Sequence, residues 1–297
     1  MGKGRLFLIF VLGLCFLIVI YTFWDNNRIK IVEQVIKIDD LPRELENFKI
    51  LQISDLHEKT FGSKQETLIR KINSINYDVI ALTGDLLSHS DSENYSPNYD
   101  LLDGIKNKEH ILFVPGNTDP IPYVVHPDKS ISKNTFLLGM EDRGVHLLDS
   151  VYTIDKSNTS IYFGNFDISI ADTTSQLAKV EKGDLFVILN HYPIVDKRID
   201  QLKQDPHSYF SKNDLIIAGH YHGGQIRVPF VGALFIPEPY YANNGLFPPQ
   251  DRVKGLWEYN GTKQYVSAGL GSSNAIPFLK FRFLNTPEIN VLTLRKK

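Results

Sequence analysis

Five short apolar runs, each leading into aspartate, asparagine or histidine, constrain this chain more than any other feature. Residues 48–53 (FKILQI) lead into Ser54-Asp55-Leu56-His57, and residues 78–83 (DVIALT) into Gly84-Asp85. Residues 111–114 lead into Pro115-Gly116-Asn117-Thr118-Asp119, residues 185–189 into Asn190-His191-Tyr192-Pro193, and residues 215–218 into Gly219-His220-Tyr221-His222. Such runs, bounded by turn residues, predict buried strands. In open α/β sheets, sites form beyond the carboxyl ends of strands, and every one of these polar groups lies at such an end.

Residues 64–75 and 98–106 read as helices between these strands. The resulting alternation predicts an α/β fold with a parallel or mixed sheet covered by helices. Residues 28–38 read as an edge strand. Further strands are predicted at 152–154, 160–163, 225–228, 265–267 and 291–294. The loop over residues 115–134 is long enough to line a pocket. No internal repeat or low-complexity linker divides residues 26–297, which read as one domain.

The run from Leu6 to Trp24 (LFLIFVLGLCFLIVIYTFW) carries no charge. At ~1.5 Å per residue it is long enough to cross a hydrocarbon core. Lys3 and Arg5 precede it, and Tyr21 and Trp24 stand where amphipathic aromatics favour the interface. It exceeds a usual signal core and no small-x-small cleavage site follows. Residues 1–25 therefore read as an uncleaved single-pass cell-membrane anchor. Lys3 and Arg5 favour a cytoplasmic N-terminus and an extracytoplasmic catalytic domain, although Arg28, Lys30, Lys37 and Arg43 weaken the asymmetry. The lone Cys15 excludes an intrachain disulfide and a Cys-rich zinc site.

A formal charge of -2 argues against a dedicated nucleic-acid binder. It does not exclude a phosphate-bearing substrate, because metals can supply positive charge. Carboxylate, amide oxygen and imidazole together suit Mn, Fe or Zn. Asp-x-His and His-x-His in extended chain would point both side chains of each pair to one side. Asp85 is placed to bridge two ions, and Gly84, Gly116 and Gly219 fit tight turns beside the ligand groups.

The set Asp55-x-His57, Gly84-Asp85, Gly116-Asn117, a lone His191 and Gly219-His220-x-His222 resembles the calcineurin-like metallophosphoesterase superfamily. Residues 218–229 (AGHYHGGQIRVP) and the tail with Ser267-Ala268-Gly269-Leu270-Gly271 are similar to the bacterial YkuE/YaeI-type membrane-associated phosphodiesterases. This resemblance implies a four-layer α-β-β-α sandwich and two divalent ions. It implies Asp55, His57 and His222 on one ion, Asn117, His191 and His220 on the other, and Asp85 on both. Catalytic roles are expected for Asn117, His191 and Asp119, the last either orienting Asn117 or a water, or capping the turn. The implied reaction is hydrolysis of a phosphodiester or pyrophosphate bond by a metal-bridging hydroxide. A phosphomonoesterase, including a protein phosphatase, and a catalytically weak membrane-tethered metal-binding module are the alternatives.

One position departs from the pattern. Thr118 stands where the family usually carries the histidine that protonates the leaving oxygen. General acid catalysis contributes ~10²–10⁴-fold, so a site without it should prefer leaving groups that need little protonation. Thr118 and His89 are the expected substrate contacts, and His126 is a second candidate acid. With the anchor, the expected substrate is an envelope or lipid-linked phosphate ester, with no protein partner. Phe278, Phe281 and Phe283, interleaved with Lys280 and Arg282, read either as a lipid or headgroup contact or as an edge strand with one buried aromatic face.

Overall fold

The computed structural model describes residues 2–170, 177–181, 183–205, 208–274 and 277–297. The chain opens with α1 (Lys3–Asn26), continues through β1 (Lys30–Ile38), β2 (Lys49–Ile53), α2 (Glu66–Ile72), β3 (Val79–Leu82), α3 (Ser96–Gly104) and β4 (Ile111–Phe113). A hairpin of β5 (Tyr123–Val125) and β6 (Ile131–Lys133) precedes α4 (Thr135–Glu141) and β7 (Val145–Leu147). The second half holds β8 (Tyr152–Lys156), β9 (Thr159–Asn165), α5 (Phe166–Ile170), β10 (Leu185–Leu189), α6 (Asp196–Lys203) and β11 (Leu215–Ala218). It ends with β12 (Arg227–Val228), β13 (Gly232–Ala233), β14 (Gly255–Tyr259), β15 (Thr262–Val266) and β16 (Glu288–Lys296).

Strands apolar on both faces must be covered on both faces. β3, β10 and β11 are buried throughout, and β2 is buried after Lys49. Two mixed six-stranded sheets result, in the orders β1-β16-β2-β3-β4-β7 and β14-β15-β11-β10-β9-β8. Alternation along each strand sorts side chains between two covers. Ile50, Val79 and Leu112 of the first sheet join Phe163, Val187 and Ile217 of the second in a core between the sheets. Leu51, Ile80 and Phe113 face the other way, against Leu68, Leu102 and Phe136 of α2, α3 and α4. On the far side of the second sheet, Phe186, Ile188 and Ile216 pack with Ile199 and Leu202 of α6.

β1 is an edge strand, as its alternation predicts. Three other expectations need correction. The 115–134 loop contains the β5–β6 hairpin, and only Asn117 and Thr118 from it line the central cavity. The 225–228 strand shrinks to the two residues of β12. Residues 278–283 are not an edge strand: Pro277–Leu279 is a 3-10 turn, Phe278 is exposed and Arg282 is fully buried. Arg282 turns inward, where its guanidinium meets backbone carbonyls of Asn285 and of the distant residues His222, Ala268 and Gly271.

α1 is long and apolar enough to cross a membrane by length and composition. Its final turn is tied to the rest of the chain. Asp25 is buried, accepting from Arg28 Nε at 2.8 Å and from Thr286 Oγ1 at 2.7 Å.

Candidate metal centre

The parallel trio β2, β3 and β4 and the parallel pair β10 and β11 end at one common edge of the two sheets. Loops leaving them continue the ladder. Asp55 N–H donates to the Gly84 carbonyl at 2.9 Å, His57 N–H to Asp85 at 3.0 Å, and Gly219 N–H to His191 at 3.0 Å.

The side chains converge for a reason other than the expected one. Asp55, His57, Asp85, His220 and His222 are not extended; their φ values are 53°, 47°, 53°, 69° and 50°. Left-handed backbone costs ~1–2 kcal/mol at each non-glycine residue. Such strain persists only where the surroundings over-determine it. Here those surroundings are the inter-loop hydrogen bonds and two close backbone approaches. At Gly84 (φ +83°), a Cβ would lie 2.5 Å from Gly116 N and 2.8 Å from His191 Nδ1. At Gly219 it would lie 2.1 Å from Ser54 Oγ and 2.6 Å from Asp55 Oδ2. Gly84→Ala is therefore expected to cost about 2–3 kcal/mol, as overpacking against backbone does. A urea midpoint within error of wild type would contradict it.

All seven ligand candidates meet. Asp55, His57, Asp85 and His222 offer donor atoms within 4.8 Å of one another, and Asp85, His191 and His220 form a second such group. Asp85 belongs to both: its Oδ2 is 3.4 Å from His57 Nε2 and 3.4 Å from His191 Nε2. His57 and His222 face each other Nε2 to Nε2 at 3.2 Å. His191 Nε2 lies 3.0 Å from His220 Nδ1 and 3.2 Å from Asn117 Oδ1. His191 Nδ1 is 2.9 Å from the Thr83 carbonyl, which directs Nε2 toward the cluster.

Electrostatics favour the same use. Burial holds His57 and His220 down to about 4 and His222 well below its ordinary value, so these imidazoles are neutral donors at pH 7. Burial raises Asp55, opposed by His191. Burial also works against ionised Asp85, but the hydrogen bond and charge of His191, with His57, outweigh it and hold the carboxyl low. Burial disfavours a proton on His191, yet its hydrogen bond to Asp85 overrides this and pushes it up to about 9.

These donors fit divalent cations. Nitrogen and oxygen ligands ~2.0–2.2 Å from one ion sit about 3–3.5 Å apart, the spacing seen here. Bound ions would displace the His191 proton, the usual coupling of metal uptake to proton release.

The remaining expectations divide. Asp119 is buried and both its oxygens are engaged: Oδ1 accepts from Leu86 N (2.9 Å) and Leu87 N (3.0 Å), Oδ2 from Gly116 N (2.8 Å). It braces the turns that carry Asp85 and Asn117 and does not line the cavity. Thr118 does line it, with its backbone N–H on Asp85 Oδ1 (2.9 Å) and its hydroxyl donating to the Leu87 carbonyl (2.7 Å). His89 is exposed, with Nε2 2.9 Å from Asn274 Nδ2, and is not a cavity-lining residue. His126 is exposed on the β5–β6 hairpin against Ser132 Oγ, away from the cluster lining.

Sequence reasoning missed three contributors. Gln52 is buried between the sheets, donating to Thr83 Oγ1 and to the Ala218 carbonyl, each at 2.8 Å, and so ties β2 to β11 beside the site. A polar residue inside an apolar strand was its only signal. Arg282 donates to the carbonyls of Asn285, Gly271, His222 and Ala268 at 2.8, 2.7, 3.0 and 2.6 Å. α1 supplies part of the cavity wall. That cavity, of about 1350 Å³, contains Asp85, Asn117, His220 and His222 in its lining, and also Ile18, Val19 and Phe23.

The family model for calcineurin-like phosphoesterases matches residues 48–224, from the approach to β2 through the His220-x-His222 turn. The chain belongs to the calcineurin-like phosphoesterase family. It is a metal-dependent phosphoesterase, a hydrolase. Members of this family similar to it include the uncharacterized metallophosphoesterase YkuE of Bacillus subtilis, 26% identical over 91% of this chain and 87% of that protein. The UDP-2,3-diacylglucosamine pyrophosphatase LpxG of Chlamydia muridarum is 24% identical over 91% of each chain. The phosphodiesterase YaeI of Escherichia coli is 26% identical over 83% of this chain and 82% of its own. Calcineurin-like phosphoesterases use divalent metals, and the buried Asp/His cluster is where this one offers ligands.

Proposed function

We propose that residues 1–25 anchor this phosphoesterase in the cell membrane and that residues 26–297 form its catalytic domain. That domain cleaves a phosphodiester or pyrophosphate bond in an envelope or lipid-linked substrate. The observation that carries the reading is Asp85, one carboxylate shared by two donor groups. Asp55, His57 and His222 would hold one divalent ion, Mn, Zn or Fe, and Asn117, His191 and His220 a second, with Asp85 serving both. Bound ions of this kind neutralise phosphoryl oxygens and lower the pKa of water. The name of the similar LpxG supports a lipid-linked pyrophosphate, and that of YaeI a phosphodiester. Lys3 and Arg5 support an extracytoplasmic domain.

The protein's own groups set the substrate preference. Thr118 N–H orients Asp85, while the Thr118 hydroxyl spends its proton on Leu87. A leaving oxygen therefore finds no acid at residue 118. Aryl esters and pyrophosphates, whose leaving groups are stable without a proton, fit that site better than alkyl diesters. Two assays test this. The purified chain should cleave bis-p-nitrophenyl phosphate faster than p-nitrophenyl phosphate; the reverse order would favour a monoesterase. Thr118→His should raise kcat/KM for an alkyl diester by about 10²-fold, with far less gain for an aryl one. Equal gains would sink the missing-acid argument.

A further inference from the structure

The structure assigns α1 a second role besides anchoring: its last turns form one wall of the substrate cavity, and the apolar chain of an amphiphilic phosphoester enters along that wall from the bilayer. This rests on the membrane-anchored hydrolase reading above and names the class of substrate its site takes.

Three observations support it. First, the cavity is continuous from the metal cluster to the helix. The same lining that contains His57 and Asn117 includes Ile18, Val19 and Phe23 of α1, faced by Phe235, Leu279 and Phe281. A soluble headgroup alone would need no such apolar wall. Burying a chain against it is favourable, because apolar surface leaves water.

Second, the end of the helix beside the cavity is pinned to the rest of the chain. The Asn26 amide donates to the Arg282 carbonyl at 2.7 Å and accepts from Arg282 N–H at 2.8 Å, and Lys59 Nζ donates to the Asn26 carbonyl at 2.5 Å. A flexible tether would need none of these bonds. Thr22, the polar residue on this stretch of the wall, donates its hydroxyl to the Ile18 carbonyl at 2.8 Å and so leaves no unmet donor in an apolar slot.

Third, depth matches. Trp24 marks the interface end of the helix, and Ile18 lies ~9 Å further along the axis at ~1.5 Å per residue. The outer part of the cavity is then level with acyl chains, not with water. Phe235 and Phe278 are exposed at 52% and 81%, at and beside the lining, where a bilayer surface would cover them.

The test uses the full chain in phosphatidylcholine nanodiscs, with ethyl and hexadecyl p-nitrophenyl phosphate as probes sharing one leaving group. Wild type should prefer the hexadecyl ester by at least about tenfold in kcat/KM, the gain from burying roughly two methylenes. Val19→Trp, which fills the slot while keeping the helix apolar, should reduce that ratio at least about tenfold. Leu12→Trp, on a part of α1 outside the cavity lining, should preserve it. Replacing residues 1–23 by an unrelated membrane helix provides a second route: the anchor remains, and the preference should still fall. A chain-length preference that survives both changes, or that wild type lacks, overturns the wall. Failure to cleave either ester above an Asp85→Asn blank overturns the hydrolase reading, and the inference with it.

Discussion

Asp85→Asn lowers kcat/KM for an aryl phosphodiester by at least about 10³-fold while leaving the fold intact. The substitution is isosteric, and an amide oxygen still accepts the Thr118 N–H bond now made by Oδ1. What disappears is the charge that lies 3.4 Å from both His57 and His191. No other carboxylate joins the two donor groups among the described residues. Metal charge contributes several kcal/mol to such transition states. At 1.36 kcal/mol per tenfold, loss of a carboxylate that served two ions would reach three decades or more. Steady-state kinetics and metal analysis of the purified variant check this together. Activity within tenfold of wild type, with metal content unchanged, would show that Asp85 is not the shared ligand.

Arg282→Met costs on the order of 4 kcal/mol of stability and weakens metal binding as well. The guanidinium is fully buried and meets four backbone carbonyls. Methionine fills the volume but donates nothing, and a buried acceptor left unmet costs ~1–3 kcal/mol. Burial pulls the guanidinium down to about 10, so it stays charged at pH 7, with Glu288, Asp55 and Asp25 nearby as compensating charges. Removing it leaves those carboxylates less balanced. One of its acceptors is the carbonyl of His222, shared with Asn285 Nδ2 at 2.6 Å, so Arg282 positions a proposed ligand without touching an ion. Urea unfolding reads the first effect and metal titration the second. Arg282→Lys should recover part of the stability, because one ammonium can meet some of the four carbonyls. A wild-type midpoint in the methionine variant would refute this account.

These two residues differ in how far their sequence neighbourhood reveals them. Asp85 follows a buried strand and a glycine, and its role is implied by four similar strand ends elsewhere in the chain. Arg282 lies among aromatics that suggest a lipid-facing strand, and nothing nearby says that its side chain turns inward. The Asp-x-His and His-x-His pairs were legible as pairs, but not for the right reason. Their side chains converge through left-handed turns held by neighbouring loops, not through strand alternation. Thr118 was legible as a departure from the family pattern, yet only the fold shows its hydroxyl committed to Leu87. Asp119 had two readings, orienting Asn117 or a water and capping the turn, and only the fold shows its carboxylate accepting from three backbone N–H groups.

The sequence by itself determined the candidate donor residues, the strands that carry them and the apolar length of the first helix. Each is written in a few consecutive residues, where burial period and turn chemistry act locally. Tertiary structure alone decided the rest. It placed the C-terminal β16 between β1 and β2, parallel to one and antiparallel to the other. It joined Asn26 to Arg282 across 256 residues, and set α1 against the cavity that holds the cluster. Those contacts arise from closing the two sheets on a common core, which brings together segments whose local patterns carry no record of one another.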